Sequence, residues 1–122
     1  MVSLAIWAGP SGAITQTCGP TWTIVPSPNR GTTASSLAAV TAISPTDAWA
    51  VGHSLPATLK SKTFTEHWDG TSWTLSSTPN IGPHITTFSG IDADSSGNVW
   101  AVGYWYNAHN TQQTLVEQYC PS

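Results

Sequence analysis

The chain is short of charge. Of its 122 residues only three are Lys or Arg and six are Asp or Glu, which leaves a net charge of −3. Charged residues make up 7% of the sequence, whereas an average soluble chain has about a quarter. Because three cations cannot neutralise a run of phosphates, composition argues against binding to nucleic acid and against a basic membrane-binding patch.

Long apolar runs are also missing, since no stretch approaches the roughly 18 residues that would span a bilayer. The apolar start, Met1–Trp7, is short and has no basic residue before it, so it lacks the features of a signal sequence. What the chain does have is 39% hydrophobic residues, seven of them Trp. This content predicts a folded chain, and polarity supplied by Ser, Thr, Asn and Gln favours an extracellular location.

An internal repeat organises the sequence. Trp22-Thr23 recurs as Trp73-Thr74, and Trp49–Gly52 recurs as Trp100–Gly103. Both pairs have the same offset of 51 residues, with no gap between them. Two further motifs keep this offset: Ser27–Gly31 with Thr78–Gly82, and Thr63–Trp68 with Thr114–Tyr119. The chain therefore carries two copies of one unit.

The unit is predicted to be four short strands. Runs rich in Thr, Val, Ile, Trp and Phe alternate with turn residues. These runs are Leu37–Ile43, Ala48–Ser54, Thr63–Trp68 and Ser72–Ser76. Four strands in about 50 residues is the size of a β-propeller blade. We therefore expect an all-β fold of two propeller-like blades, with an N-terminal arm or extra strand over residues 1–20 and the two blades over 21–122.

The same residues resemble known propeller repeats. Asp94–Trp100 is similar to the turn-and-strand signature of two-component-regulator-type repeats. A second resemblance is to repeat proteins of soil bacteria whose sequences also indicate secreted propellers, and it is found at Trp22–Asn29, Ser44–Gly52 and His67–Gly70. Trp68–Trp73 is also similar to one hairpin of small fucose-binding propeller lectins. Those lectins have two blades per chain and close a six-bladed ring as trimers. The resemblance implies a propeller fold and is nearly silent on function.

Two blades cannot close a ring, since propellers use about 4 to 8. The repeat makes Trp22–Pro26 the copy of an outermost fourth strand, followed by a full blade over residues 37–77 and an incomplete blade over 88–119. The strand missing at one end is thus present at the other. We expect head-to-tail association into a ring or a filament, in which Trp22–Pro26 of one chain completes the incomplete blade of the next.

The two cysteines fit this scheme. Cys18 and Cys120 both align by the repeat with Asp69, in the hairpin between the third and fourth strands. A disulfide between Cys18 of one chain and Cys120 of the next would replace the missing turn and would imply an oxidising compartment. An intrachain bridge and two free thiols stay open as alternatives.

Catalytic and metal-binding patterns are scarce. Glu66 and Glu117 are repeat copies that alternate with aromatic residues, so we expect each to accept hydrogen bonds from backbone or indole N–H groups on a packed face. Asp92–Gly97 begins like a calcium loop, but Gly103 stands where the bidentate Glu belongs, and a tight turn is the better interpretation. No Gly-X-Ser-X-Gly elbow and no His-X-X-X-His pair occurs. We expect no catalytic residue, no metal and no cofactor.

The aromatic residues divide into two groups. Those that recur by the repeat are predicted to pack the blades: Trp22, Trp49, Trp68, Trp73, Trp100 and Tyr119. Those that do not recur are Trp7 and a group that follows the second strand and runs into a loop. This group has polar neighbours and consists of Tyr104, Trp105, Tyr106, Asn107 and His109. This second group could stack on a sugar ring, or could be a subunit contact or surface filler.

The leading expectation is a non-enzymatic, extracellular, self-assembling propeller-repeat protein with a structural or surface role. The alternative is a carbohydrate-binding lectin assembled as an oligomeric propeller, with itself and a sugar as partners. A third interpretation, a fragment of a longer propeller, also stays open.

Overall fold

A computed structural model describes residues 19–122, and these residues form an all-β fold with no helix. Seven strands follow one another along the chain: β1 Ala34–Ser44, β2 Asp47–Leu55, β3 Lys62–Trp68, β4 Trp73–Ser76, β5 Thr86–Ala93, β6 Val99–Tyr106 and β7 Gln112–Tyr119. They build two antiparallel sheets, a first sheet in the order β1-β2-β3-β4 and a second in the order β5-β6-β7. The expected all-β class is confirmed. Within these residues there is also no helical segment of the length and apolarity needed to traverse a bilayer.

The two sheets have the same pairing register once one is shifted by 51 residues. Leu37 pairs with Gly52 in the first sheet, and Phe88 pairs with Gly103 in the second. Turn geometry repeats in the same way, since Leu59 and Asn110 are the two non-glycine residues with positive φ among residues 19–122, at 57° and 58°. The 51-residue unit of sequence is therefore also a unit of structure.

The first two strands of each unit are distorted by a β-bulge, and a glycine is needed opposite it. The register of β1 and β2 shifts between Leu37 and Ala39, so Ala38 is the extra residue. A Cβ atom added to Gly52 would lie 1.9 Å from the carbonyl oxygen of Ser36. The second sheet repeats the arrangement around Gly103. The bulge thus requires glycine at positions 52 and 103.

The hydrophobic core lies between the two sheets. Val51 of β2 packs with three buried residues of the second sheet, namely Phe88, Ala101 and Leu115. Strand β5, at one edge of the second sheet, lies against β1 and β2. A crevice of about 110 Å³ remains beside this core, lined by Trp49, Thr65 and Glu117 among others. Along each strand, residues that face this core alternate with residues on the other face of the sheet.

Strand bounds differ from the sequence prediction at several points. β1, β2 and β3 are longer than predicted, and β4 begins at Trp73, one residue late. The segment Trp22–Pro26, predicted as an outer strand, forms no strand within the described residues. An isolated strand has no ladder of hydrogen bonds to hold it, so this segment needs a partner edge before it can be extended and paired.

Candidate functional site

Each sheet has one face in the core and one face that points away from the other sheet. The open face of the first sheet is formed by Leu37, Val40, Ala50, Glu66 and Leu75, as the pairing registers show. The open face of the second sheet is formed by Trp100, Val102 and Val116. Both open faces carry large apolar side chains: Leu37, Val40 and Leu75 on the first, Trp100, Val102 and Val116 on the second.

The repeat relates each open face to a buried face of the other sheet. Val102 is the copy of Val51, yet Val102 is 46% exposed and Val51 is 0% exposed. Leu37 is the copy of Phe88, and here the exposures are 46% and 1%. Each unit thus has two packing faces. Within the chain, one face of the first sheet is buried against the opposite face of the second sheet. The other face of each sheet is the open face, and the two open faces lie on opposite sides of the pair of sheets.

The segment before β1 lies against the open face of the first sheet. The Ser27 hydroxyl donates to Glu66 Oε2 at 2.7 Å, and the Arg30 guanidinium donates to the carbonyl oxygen of Thr63. Val25 and Ser27 line a second crevice together with residues of the open face. In contrast, Trp22 and Ile24 are fully exposed to solvent. The segment is therefore anchored at its C-terminal part while its aromatic and aliphatic side chains contact little of the described chain.

The outer edges of the two sheets differ. In the first sheet β4 covers the edge of β3, with Trp68 opposite Trp73 and Thr65 opposite Ser76. In the second sheet no strand among residues 19–122 pairs with the outer edge of β7. An unpaired edge exposes N–H and C=O groups that can pair with another chain.

A side-chain clamp follows β4 and seals the edge of the first sheet. Asn80 Oδ1 accepts hydrogen bonds from the Thr63 backbone N–H at 3.0 Å and from the Thr63 hydroxyl at 3.1 Å. The Thr78 hydroxyl lies 3.2 Å from the same Thr63 hydroxyl. Thr63 is fully buried as a result. Its copy Thr114 is exposed on β7, where no such clamp is present in the described chain.

Sequence reasoning missed this clamp and the unequal faces. The clamp had a signal, because Asn29 and Asn80 recur within the motifs Ser27–Gly31 and Thr78–Gly82. Gly31 and Gly82, which end these two motifs, have similar positive φ values of 80° and 73°. Which faces are left uncovered cannot be seen from a local pattern.

The two glutamates lie on packed faces, as predicted, but with different partners. Glu66 is buried, and its carboxylate accepts from the Ser27 hydroxyl rather than from an indole. The Trp68 indole instead donates to the carbonyl oxygen of Pro45 at 3.1 Å. Glu117 Oε1 is buried with no hydrogen-bond partner among residues 19–122, and burial raises the pKa of this carboxyl.

The repeated aromatic residues have separate environments. Trp49 is buried against Tyr119, with ring centroids 4.6 Å apart. Trp68 and Trp73 form a tilted pair at 5.7 Å across β3 and β4. Trp100 and Trp22 are exposed, so they do not pack a blade within the described chain. Their predicted packing role needs a surface that the single chain does not provide.

The candidate sugar-binding residues Tyr104, Trp105 and Tyr106 lie at the end of strand β6, and only Asn107 and His109 lie in the turn that follows. Most of these side chains make structural contacts. Trp105 packs against the core cluster and over Gly82. Asn107 Oδ1 accepts from the backbone N–H groups of His109 and Thr111, which closes the turn after β6. Tyr104 and Tyr106 form an edge-to-face pair with centroids 5.9 Å apart. These two rings line an opening with Lys60, His84 and Asn110, among others.

Other candidate chemistry is not brought together. Asp94 Oδ1 accepts from the N–H groups of Ser96 and Asn98, so this segment is the tight turn expected. The Asn98 side-chain amide donates to Asp94 Oδ2, and this bond first, then the backbone bonds, holds the pKa of Asp94 below its usual value. No group of three or more metal-ligating side chains occurs in the part of the chain that the structure describes. Cys120 is an exposed free thiol, and Cys18 lies outside the described residues.

Comparison with known proteins adds nothing to this geometry: no family model, no curated protein and no solved structure matches the chain.

Proposed function

We propose that this protein is a non-enzymatic, extracellular self-assembling protein whose two sheets act as propeller blades. Copies associate head to tail, with the open face of the second sheet of one copy on the open face of the first sheet of the next. Such heterologous contacts close into a ring or continue as a filament. The role is structural, on or outside the cell surface.

One observation carries the proposal: Leu37 and Val102 are exposed on the two open faces, whereas their repeat copies Phe88 and Val51 are buried between the two sheets. Val51 against Phe88 is the packing found inside the chain. Val102 of one copy against Leu37 of the next would repeat it. The two open faces should be complementary, because their repeat copies already pack against each other within the chain. Exposed apolar faces of this kind mark association sites.

Two further features support contact in the same direction. The exposed segment Trp22–Pro26 supplies a fourth strand, and the edge of β7 lacks one. Exposed Cys120 directly follows β7, and Cys18 precedes Trp22 by four residues. A disulfide between Cys18 and Cys120 of successive copies would then link the assembly covalently, in an oxidising compartment outside the cytoplasm.

Sedimentation velocity in reducing buffer tests the proposal. The wild type should sediment as assemblies larger than the monomer of 12.9 kDa. Val102→Asp should sediment as a monomer, because it buries a charge in the apolar interface. The matched control is Thr58→Asp, which adds the same charge at an exposed turn and should leave the assembly intact. A wild-type monomer at all concentrations would contradict self-assembly.

The proposed disulfide between Cys18 and Cys120 is tested separately from the non-covalent contact. On a non-reducing gel after oxidation, the wild type should give a ladder that collapses on reduction, and Cys120→Ser should give none. A wild type that sediments as an assembly but runs as a monomer on this gel would contradict the disulfide. The non-covalent contact would still be supported.

Carbohydrate binding is a second candidate, and the opening beside Tyr104 and Tyr106 favours it. The two rings stand next to polar side chains, including His84 and Asn110. Saturable quenching of fluorescence by a simple sugar, lost in Tyr106→Ala, would support a lectin. Trp105→Ala is a poor variant for this purpose, because Trp105 packs against the core.

A further inference from the structure

The repeat geometry points to one register for the contact between copies. We propose that residues 22–29 of one copy form both the fourth strand and the edge clamp for β7 of the next copy. This inference rests on the proposed head-to-tail association and specifies its partner segment. It assigns a role to the exposed segment, to the free edge and to Asn29.

The register follows from the pairing of β3 with β4. Thr65, Glu66, His67 and Trp68 lie opposite Ser76, Leu75, Thr74 and Trp73. A shift of 51 residues converts each member into its copy. The expected pairs, written with the β7 residue first, are Val116 with Val25, Glu117 with Ile24, Gln118 with Thr23 and Tyr119 with Trp22.

Side-chain chemistry agrees with this register at the aromatic pair. Trp68 and Trp73 pack their rings across the first sheet. The copies are Tyr119, which is half exposed, and Trp22, which is fully exposed. In the proposed register these two rings meet, so the most exposed aromatic side chain of the described residues becomes a cross-strand contact.

The clamp provides a second, independent match. Asn80 Oδ1 holds the N–H and hydroxyl of Thr63 within the chain. Asn29 is exposed and no hydrogen bond to its side chain is found among the described residues, while Thr114 is exposed on β7. In the proposed contact Asn29 Oδ1 accepts from Thr114 of the next copy. The loop that carries Asn29 is already held in place, since the adjacent Arg30 is bonded to Thr63 and Ser35 of its own chain.

The path of the chain makes the strand and the faces one interface. In the first unit the chain runs from β4 through residues 76–79, which line the crevice between the two sheets. Val25 and Ser27, the copies of Ser76 and Thr78, line the corresponding crevice on the open face of the first sheet. A neighbour whose second sheet covered that face would therefore place its β7 beside Trp22–Pro26.

Cross-linking by paired cysteines tests the register. In a Cys18→Ser, Cys120→Ser background, Thr23→Cys with Gln118→Cys places thiols on directly opposed residues. Their Cα atoms should be about 4.5–5.5 Å apart, within the about 4.4–6.8 Å of a disulfide. Oxidised glutathione supplies the oxidant: each new disulfide releases two molecules of glutathione. The expected product is a ladder of covalent oligomers.

Two controls accompany this variant. Thr21→Cys with Gln118→Cys is two residues out of register, at about 7–8 Å, and should give much less cross-linking. His67→Cys with Thr74→Cys is the equivalent pair within the chain and should form an intrachain bond. Equal ladders from both interchain pairs, or a folded and sedimenting assembly with no ladder from the in-register pair, would overturn the strand pairing. A background protein that sediments only as a monomer would instead overturn the proposed function.

The asparagines give a second test that does not depend on cysteine chemistry. Asn29→Ala should weaken assembly about tenfold while leaving the melting temperature of the dilute monomer unchanged. Asn80→Ala should lower that melting temperature, because buried Thr63 loses its acceptor. Unchanged assembly in Asn29→Ala would remove the clamp from the interface.

Discussion

At the residue scale, the two bulges make the strictest demand on side-chain size. Gly52 and Gly103 each face a backbone carbonyl at a distance that no Cβ atom tolerates, and backbone cannot move aside as a flexible side chain can. Pressing atoms into a packed site typically costs about 1–3 kcal/mol. We therefore expect Gly52→Ala and Gly103→Ala each to lower the free energy of unfolding by about 2 kcal/mol or more.

Urea unfolding of the monomer measures this cost. Gly19→Ala is the matched control, since nothing lies within 4 Å of its added Cβ atom. It should change the unfolding free energy by well under 1 kcal/mol. Equal effects at Gly19 and Gly52 would mean that the close approach at the bulge is not a constraint on the fold.

At the element scale, the hairpin between β3 and β4 depends on one carboxylate. Asp69 Oδ1 accepts from the N–H groups of Thr71 and Ser72 and from the Thr71 hydroxyl, at 2.8–2.9 Å. These bonds, that from Ser72 first, lower the pKa of Asp69 to about 2. Because the folded pKa lies below the unfolded value of 3.8, the stabilisation is present above pH 3.8 and is lost as pH falls towards 2.

The variant Asp69→Ala should therefore melt below the wild type at pH 7, and the gap should close as pH approaches 2. Asp69→Asn keeps an acceptor oxygen, so it should lose less at pH 7. Thermal melts followed by circular dichroism at several pH values supply the comparison. A gap between wild type and Asp69→Ala that stays constant down to pH 2 would contradict the assigned bonds.

Elements of this kind were largely predictable from the sequence, and the interface was not. The alternation in Thr63–Trp68 and the turn residues after it are local signals, so β3 and its hairpin fall close to the predicted positions. The exposed faces depend on which copy of a unit has a neighbour. Val51 and Val102 are the same residue type in the same repeat position, yet only one is buried. No local pattern separates Val51 from Val102, because their burial depends on whether another unit of the described chain packs against them.

At the scale of the whole molecule, head-to-tail assembly depends on two unlike faces that fit each other. The open face of the first sheet can be blocked by Val40→Asp and that of the second by Val102→Asp, and both residues are exposed, so the monomer should still fold. Each variant keeps one working face. Head-to-tail contact then allows a pair of unlike variants and nothing larger.

The measurement that tests this most directly is sedimentation of the two variants, alone and mixed, in reducing buffer. With head-to-tail assembly, each variant alone should sediment as a monomer, and the mixture should contain a one-to-one dimer. In this dimer the first sheet of Val102→Asp contacts the second sheet of Val40→Asp. A mixture that stays monomeric, or either variant forming a dimer with itself, would contradict head-to-tail assembly through the open faces.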